Sequence, residues 1–296
     1  SEFYGVNLEE KSVFLKETAK EIIKKGNYMF RFSTRHMRVL PDFLIVGAQK
    51  CGTSSLYRNL VNHPSVAPAF VKEVHFFNNH FQKGMDWYRT YFPSLPYKYY
   101  TTQIQKRDFV TGEATPGYIF HPHAPRRISE SLPHVKLIVL LRNPVDRAYS
   151  HYYHEVRKKR ETLSFEDAIK MEEERLRGEF DKFMKNEHHY SFNYLHYSYL
   201  LKGVYADQLK RLNNYFTKEQ ILILKSEDFF KDPQASFDRV LQFLGLPGWQ
   251  VKDFKKQNVG YYPKMDTVMR NRLIDYFVPH NHRLYEYLGI DFSWEK

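Results

Sequence analysis

The sequence predicts a single α/β domain with a central, mostly parallel sheet flanked by helices. Short continuous apolar runs predict three buried strands, at residues 43–47, 135–141 and 221–224. A helical pattern follows each run, near residues 53–62, 144–160 and 233–245. Apolar strands that alternate with helices are typical of a parallel sheet covered on both faces, so one such sheet is expected.

The first 40 residues are predicted to form a separate unit. One face of a predicted helix over residues 8–24 carries the apolar residues Leu8, Leu15, Ala19 and Ile22. The basic stretch 31–38 that follows is predicted to be a solvated connector. We therefore divide the chain into residues 1–40, an amphipathic helix with a connector, and residues 41–296, the main domain.

The charge and cysteine content limit the partners and compartments to consider. A formal net charge of +11 and a pI near 9.4 predict an anionic ligand, and a nucleic acid, an acidic polysaccharide, an anionic cofactor and a membrane surface all fit. The apolar runs are too short to span a bilayer. Cys51 is the single cysteine and there is no N-x-[ST] sequon, which excludes an intrachain disulfide and favours a cytoplasmic location. A Golgi location would require an anchor upstream of this sequence.

The segment after the first predicted strand has the pattern of a phosphate-binding loop. Gly47 and Gly52 enclose four residues, as in the Walker A pattern, but the residue after Gly52 is threonine where that pattern has lysine. The loop's own lysine, Lys50, lies earlier, which favours a shorter anionic chain such as a 5′-phosphosulfate over a nucleoside triphosphate. The alternative is an ordinary turn that needs its glycines for geometry alone. The candidate binding residues are Lys50, Cys51, Gly52, Thr53 and Ser54.

A second anion site is predicted where the strand at residues 135–141 ends. Arg142 follows the strand, and Ser150 lies about two turns into the next predicted helix. Ligands of open α/β sheets bind beyond the carboxyl ends of the strands, so Arg142 and Ser150 form a candidate phosphate clamp. Two separate sites indicate a nucleoside that is phosphorylated at both ends. The alternative is that the arginines of this segment form ion pairs with Asp146 or Glu155.

The loop and the clamp together resemble those of sulfotransferases that use 3′-phosphoadenosine 5′-phosphosulfate (PAPS). The stretch 72–93, which begins Lys-Glu-Val-His-Phe-Phe, is most similar to the heparan sulfate N-deacetylase/N-sulfotransferase and 3-O-sulfotransferase domains. Further similarity lies at residues 112–118, 124–128, 203–205 and 283–285. The resemblance runs from about residue 41 to the C-terminus. It implies PAPS as co-substrate, 3′,5′-ADP as product and no metal.

The resemblance also implies roles for individual residues. The phosphate loop would hold the 5′-phosphosulfate, and Arg142 and Ser150 would hold the 3′-phosphate. Residues 258–262 match a glycine-aromatic loop that closes over the nucleotide. The expected cofactor site is completed by Tyr205, Gly260 and Tyr261. Two positions depart from the family pattern, because Ala114 and Val259 stand where the family has lysine.

Glu73 matches the glutamate that is taken as the general base in the heparan sulfate enzymes. It would accept a proton from the attacking hydroxyl or amine, a step typically worth ~10²–10⁴-fold in rate. His75 is the competing base, and on a strand it would share a face with Glu73. The alternative for Glu73 is an ion pair with Lys72, and for His75 a place within an aromatic cluster. Lys50 would stabilise the leaving phosphate, so that no metal is needed.

Three classes of function therefore stay open, in order of preference. The first is sulfuryl transfer to a hydroxyl or amine of a carbohydrate, glycosaminoglycan-like and anionic acceptors included, with no nucleic acid partner. The second is sulfuryl transfer to a small-molecule acceptor; a nucleotide kinase is disfavoured because no lysine follows Gly52. The third is a non-catalytic module that binds polyanions on the same fold. Three pairs of histidines lie close together in the sequence, at 121/123, 151/154 and 188/189. Metal binding by these pairs is disfavoured, because no H-E-x-x-H pattern accompanies them.

Overall fold

The central sheet is entirely parallel. The computed structural model describes residues 8–252, 254–255 and 260–295, with side chains from residue 18 onward. Within these residues one five-stranded sheet has the order β2-β3-β1-β4-β5, and every neighbouring pair runs parallel. The strands are β1 Phe43–Gly47, β2 Val66–Pro68, β3 Val110–Ala114, β4 Lys136–Leu141 and β5 Ile221–Lys225. The predicted fold class, a parallel α/β sheet flanked by helices, is confirmed.

Helices connect and cover these strands. The longer helices are α1 Leu8–Ser33, α2 Thr53–Leu60, α5 Ala124–Ser131, α6 Pro144–Arg157, α11 Tyr205–Asn213, α13 Pro233–Leu244 and α14 Thr267–Leu288. Shorter ones are α3 Gly84–Arg89, α4 Leu95–Tyr99, α7 Phe165–Lys170, α8 Glu172–Leu176, α9 Glu179–Lys185, α10 Phe192–His196 and α12 Ser226–Lys231. The predicted helices after the first, second and third apolar runs correspond to α2, α6 and α13.

The core of the domain is built around β1 and β4. All five residues of β1 are buried, as are the last five of β4. Phe43 lies between Gly112 of β3 and Lys136 of β4. A side chain at Gly112 would place its Cβ 2.3 Å from the carbonyl oxygen of Phe43, so only glycine permits this close approach of the two strands. Because β1 also pairs with β4, the strand ends that carry the phosphate loop and Arg142 are neighbours.

Two strands were not predicted from the sequence. Strand β3 contains Gly112 and the buried, charged Glu113, and β2 has three residues and ends in proline. Neither forms an apolar run, so the pattern that identified β1, β4 and β5 does not detect them. Both strands are stabilised by tertiary packing and not by local propensity.

The N-terminal segment differs from the prediction in length and in packing. Helix α1 continues through residue 33, nine residues beyond the predicted end. Arg31 donates hydrogen bonds to the carbonyl oxygens of Thr90 (2.8 Å) and Phe92 (2.7 Å), and the buried Arg38 donates to Phe92 as well (3.0 Å). The expectation of a solvated connector is therefore wrong, while the division of the chain at residue 40 stays a prediction. Among the described helices, none is both long enough and apolar enough to cross a membrane.

Candidate active site

A cavity of about 690 Å³ lies at the carboxyl edge of the sheet, and we call it the loop cavity. It is formed where β1, β4 and β5 end and where α2, α6 and α12 begin, which is the expected ligand position for an open parallel sheet. Of the residues predicted from the sequence, those that line it are Lys50, Gly52, Thr53, Ser54, Glu73, Arg142, Ser150 and Gly260. The structure thus brings the phosphate loop and the candidate clamp to one cavity.

The phosphate loop is fixed by its own backbone geometry and by contacts from two neighbouring strand ends. Gly52 has a φ of +97°, which L-residues rarely adopt, and it directly precedes the first residue of α2. Ser226 Oγ donates to the carbonyl oxygen of Cys51 (2.8 Å), and Arg142 Nη1 donates to that of Lys50 (3.2 Å). The start of α2 therefore faces the cavity with its positive end, as an anion-binding loop requires.

Lys50 lies in a partly desolvated and cationic environment. Burial, together with the nearby charges of Arg157 and Arg142, lowers its pKa to about 8. An anion in the cavity would relieve both effects, since an opposite charge favours the ammonium form. These electrostatics thus favour binding of a phosphate or sulfate group at this position.

Arg142, which precedes α6, and Ser150, about two turns into α6, both line the loop cavity. The side chain of Asn143 caps this helix by accepting from the backbone N–H of Val145 (3.0 Å). The alternative was that Arg142 or Arg147 forms an ion pair with Asp146 or Glu155. Among the described residues, Glu155 pairs with Arg160 instead. Asp146 pairs with Arg270 (2.7 Å). Arg147 is fully buried and donates to the carbonyl oxygen of Tyr199, away from the cavity.

Glu73 lies in the loop between β2 and α3 and not on a strand. Its carboxylate is 3.2 Å from His75 Nε2 and also contacts Lys72, whose ammonium donates to Ser54 Oγ (2.6 Å). Burial alone would raise the pKa of Glu73, but the hydrogen bond from His75 and the charge of Lys72 outweigh it and lower the pKa to about 2. Glu73 is therefore ionised at neutral pH and linked through Lys72 to the phosphate loop.

A second cavity, of about 320 Å³, adjoins the first, and we call it the histidine cavity. The two cavities share the wall residues Gln49, Glu73, Pro116 and His154. Basic and aromatic side chains dominate the rest of its lining, namely His75, Phe120, His121, Lys158, Arg160, Tyr190, Tyr194, His196 and Lys202. Burial lowers the pKa of His121 to about 3 and that of His154 to about 4, with nearby cationic groups acting in the same direction, so both are neutral at pH 7.

A buried carboxylate supports the segment that carries Glu73. Glu113 accepts hydrogen bonds from the backbone N–H of Val74 (3.2 Å) and from the hydroxyls of Tyr88 (3.1 Å) and Tyr118 (2.6 Å). Tyr118 in turn accepts from the backbone N–H of Phe76 (2.9 Å). Burial raises the pKa of Glu113, and the hydrogen bonds from hydroxyl groups and backbone oppose this shift. The sequence analysis singled out the following residue, Ala114, and did not predict the hydrogen-bond network of Glu113.

Three predicted cofactor residues do not line the cavity with their side chains. Cys51 is fully buried, and burial raises the pKa of its thiol to about 11. Tyr205 is also buried and donates to the carbonyl oxygen of Arg142 (2.8 Å), so it supports the clamp from behind. Tyr261 is 95% exposed, and the neighbouring Tyr262 lines the loop cavity and stacks on Tyr153 instead.

Part of the predicted closing loop at residues 258–262 lies outside the described residues, namely Asn258 and Val259. Residues that line the loop cavity but were missed by sequence reasoning include Gln49, His154 and Phe230, whereas Tyr262 lies within the predicted closing loop. Among the residues with described side chains, no cluster of three or more His, Cys, Asp or Glu could hold a metal ion.

A parallel sheet that carries a lysine-bearing phosphate loop beside an arginine clamp defines an α/β protein of the P-loop-like, anion-binding class. Residues 40–271 match the family of the sulfotransferase domain. The chain therefore belongs to the sulfotransferase family, and the predicted enzyme class is confirmed.

Several relatives cover most of this chain. Membrane-associated sulfotransferase kil1 of Dictyostelium discoideum is 30% identical over 86% of this chain and 67% of its own length. Heparan sulfate glucosamine 3-O-sulfotransferase 3B1 of Homo sapiens is 30% identical over 89% of this chain and 67% of its own length. Bifunctional heparan sulfate N-deacetylase/N-sulfotransferase 4 of Mus musculus is 32% identical over 82% of this chain, but the match covers only 29% of that enzyme. The chain thus spans less than a third of this last relative.

The fold is also that of a solved sulfotransferase. The crystal structure of a sulfotransferase from Alicyclobacillus acidocaldarius superposes with a TM-score of 0.66 and 34% sequence identity. The superposition covers 87% of this chain and all of that one.

Proposed function

We propose that this protein transfers the sulfuryl group of PAPS to a hydroxyl or amine of a carbohydrate acceptor. The observation that carries this proposal is the position of Glu73, on the wall shared by the loop cavity and the histidine cavity. An ionised carboxylate at the junction of an anion-binding cavity and a second cavity is where a base for an in-line transfer is needed.

The loop cavity has the chemistry to hold the donor nucleotide. Its volume of about 690 Å³ is within the usual ~300–1,000 Å³ of small-molecule sites. Lys50 and the N–H groups at the start of α2 would bind the 5′-phosphosulfate, and Arg142 and Ser150 would bind the 3′-phosphate. Arg142 and Ser150 supply cationic and hydroxyl donors beyond those of the loop itself, as an additional phosphate on the nucleotide would require.

The transfer follows from the charges around the shared wall. The acceptor oxygen or nitrogen forms a bond to sulfur while the bond from sulfur to the bridging phosphate oxygen breaks, and Glu73 accepts the acceptor's proton. Lys50 stabilises the negative charge that develops on the leaving phosphate. We treat this displacement by analogy with phosphoryl transfer, in which positioning and charge stabilisation dominate. His75, hydrogen-bonded to Glu73, orients the carboxylate in this scheme.

The histidine cavity supports a carbohydrate as the acceptor. Its Lys158 side chain is an exposed cation that would attract acidic groups of a sugar chain, whereas Arg160 is paired with Glu155 of the same wall (3.3 Å). The tyrosines of the cavity combine apolar faces with hydroxyls. Two of the relatives named above are heparan sulfate sulfotransferases. Both N- and O-sulfation fit this chemistry, because Glu73 can take a proton from either group.

A small-molecule acceptor is the second candidate for the same site. The histidine cavity, at about 320 Å³, is large enough for a phenol, and Phe120 and Tyr194 lie in its wall. A panel of acceptors separates the two candidates. Incubation with PAPS and either desulfated heparin oligosaccharides or simple phenols, followed by mass spectrometry, should show an added sulfate on the oligosaccharides.

Nucleotide binding separates an enzyme from a polyanion-binding module. In thermal unfolding without Mg²⁺, 3′,5′-ADP should raise the melting temperature clearly more than ATP or 5′-AMP does. Stabilisation by heparin alone, with no response to 3′,5′-ADP, would contradict the proposed function and favour the module.

A further inference from the structure

Gln49 occupies a position that the family resemblance did not assign. It directly precedes Lys50 in the phosphate loop, is half-buried, and lines both the loop cavity and the histidine cavity. Glu73, Pro116 and His154 also line both cavities. Its side chain is therefore at the junction where, under the proposed function, sulfur passes from donor to acceptor.

The amide of Gln49 has a fixed orientation. Lys202 Nζ donates to Gln49 Oε1 at 2.8 Å and also donates to the carbonyl oxygen of Leu195. A lysine ammonium has donors and no acceptor, so it can bind only the oxygen of the amide. The amide oxygen is thus occupied, and the amide NH₂ is the group that Gln49 offers to the shared wall.

Lys202 is itself held by its surroundings. Its side chain is 6% exposed, and its ammonium lies 5.4 Å from the centre of the Phe120 ring. Its backbone carbonyl accepts from Gln208 Nε2 (3.1 Å) in the short turn before α11. Burial lowers the pKa of Lys202 to about 7, and the charge of Arg147 acts in the same direction. The carboxylates of Glu155 and Glu172 oppose this shift and favour the charged form, while Gln49 accepts one of the N–H bonds of this buried amine.

We propose that the Gln49 amide donates a hydrogen bond to a sulfuryl oxygen during transfer, and that Lys202 is the positioning residue that fixes this amide. The inference rests on the proposed function. Negative charge on the sulfuryl oxygens has to be stabilised at the shared wall, and a preorganised neutral donor does this without reorganisation at the moment of reaction. Lys202 acts only through Gln49 in this account and does not touch the substrate.

A double-mutant cycle tests this coupling. The variants are Gln49→Leu, Lys202→Met and the double variant, assayed as sulfate transfer from PAPS to the acceptor found for the wild type and, without any acceptor, as hydrolysis of PAPS. Loss of one preorganised donor typically costs ~10²–10³-fold in kcat, so Gln49→Leu should lower kcat on the order of a hundredfold. Lys202→Met should lower kcat about tenfold, because a free amide keeps part of its donation. The double variant should match Gln49→Leu within about twofold.

Two further measurements distinguish positioning from a purely structural role. The affinity for 3′,5′-ADP and the melting temperature should stay at the wild-type value in all three variants. Gln49→Glu serves as a matched control, since a carboxylate keeps the contact to Lys202 and removes the N–H donor. It should lose at least as much kcat as Gln49→Leu does.

The outcomes are separable from those that test the proposed function. If the costs of Gln49→Leu and Lys202→Met multiply in the double variant, Lys202 does not act through Gln49 and the inference fails. Full activity of Gln49→Glu would likewise overturn the role of the amide donor. A wild-type protein that binds 3′,5′-ADP but neither transfers nor hydrolyses PAPS would overturn the proposed function together with the inference.

Discussion

The loop cavity and the histidine cavity adjoin each other, but they are built in different ways. The loop cavity is formed at strand ends, where β1 and β4 continue into the phosphate loop and the arginine clamp. The histidine cavity is assembled from loops, short helices and the end of α6, at residues 75–79, 116–121, 154–160 and 190–202. Under the proposed function, the sheet edge would position the groups that bind the donor, and loops would form the acceptor side.

The largest effect on the loop cavity is expected from Lys50→Ala. Loss of the charge that stabilises the leaving phosphate should lower kcat on the order of 10³-fold. Binding of 3′,5′-ADP, measured by calorimetry, should persist, because Arg142 and Ser150 still contact the product. A Lys50→Ala enzyme with nearly wild-type kcat would remove Lys50 from the mechanism.

Arg142→Ala should affect binding in the loop cavity more than chemistry. Truncation of one partner of a charged hydrogen-bonded pair typically costs ~2–5 kcal/mol, so the affinity for 3′,5′-ADP should fall at least ~thirtyfold. The affinity for 5′-AMP, which lacks the 3′-phosphate, is the internal control and should not change. Equal affinities of the wild type for the two nucleotides would show that there is no 3′-phosphate site.

The pKa of Lys50 predicts an alkaline limb in the pH profile. Burial and the neighbouring arginines lower this pKa to about 8, so the required ammonium loses its proton as the pH rises above that value. The kcat/KM for PAPS should then fall about tenfold per pH unit, and the limb of kcat should lie at higher pH because the bound anion favours the charged form. In Lys50→Arg the limb should vanish up to about pH 10, since arginine stays charged. A limb that remains in place would belong to another group.

The smallest effect is expected from Lys158→Ala in the histidine cavity. Lys158 is an exposed cation at the end of α6, so its loss should raise the KM for an anionic oligosaccharide a few-fold at low salt and less at high salt. The adjacent Lys159 is also exposed but does not line the cavity, and Lys159→Ala is the matched control. If both variants behave alike, or if the affinity for 3′,5′-ADP changes instead, the assignment of the two cavities is wrong.

The same contrast explains how much the sequence could predict. The strands β1, β4 and β5 are continuous segments with strong local patterns, and they were predicted close to their observed bounds. The candidate phosphate loop and clamp follow these strands and line one cavity, while their binding roles stay predictions. The role of Glu113 and the shared wall at Gln49 depend on contacts between residues far apart in the chain. No local pattern records such contacts, because they arise only when the sheet brings separate loops together. The wrong expectation for residues 31–38 has the same origin, since a basic stretch is indistinguishable by composition from one whose arginines bind backbone carbonyls.

The most direct test of the central claim is Glu73→Gln, with kcat and nucleotide affinity measured on the same preparation. The change keeps the shape of the side chain at the shared wall and removes its basicity. If Glu73 is the base between the two cavities, kcat should fall at least ~a hundredfold while the affinity for 3′,5′-ADP stays unchanged. His75→Ala, the control, should lose less activity, because His75 contacts Glu73 and only orients it. An active Glu73→Gln enzyme beside an inactive His75→Ala enzyme would make the histidine the base and contradict this account.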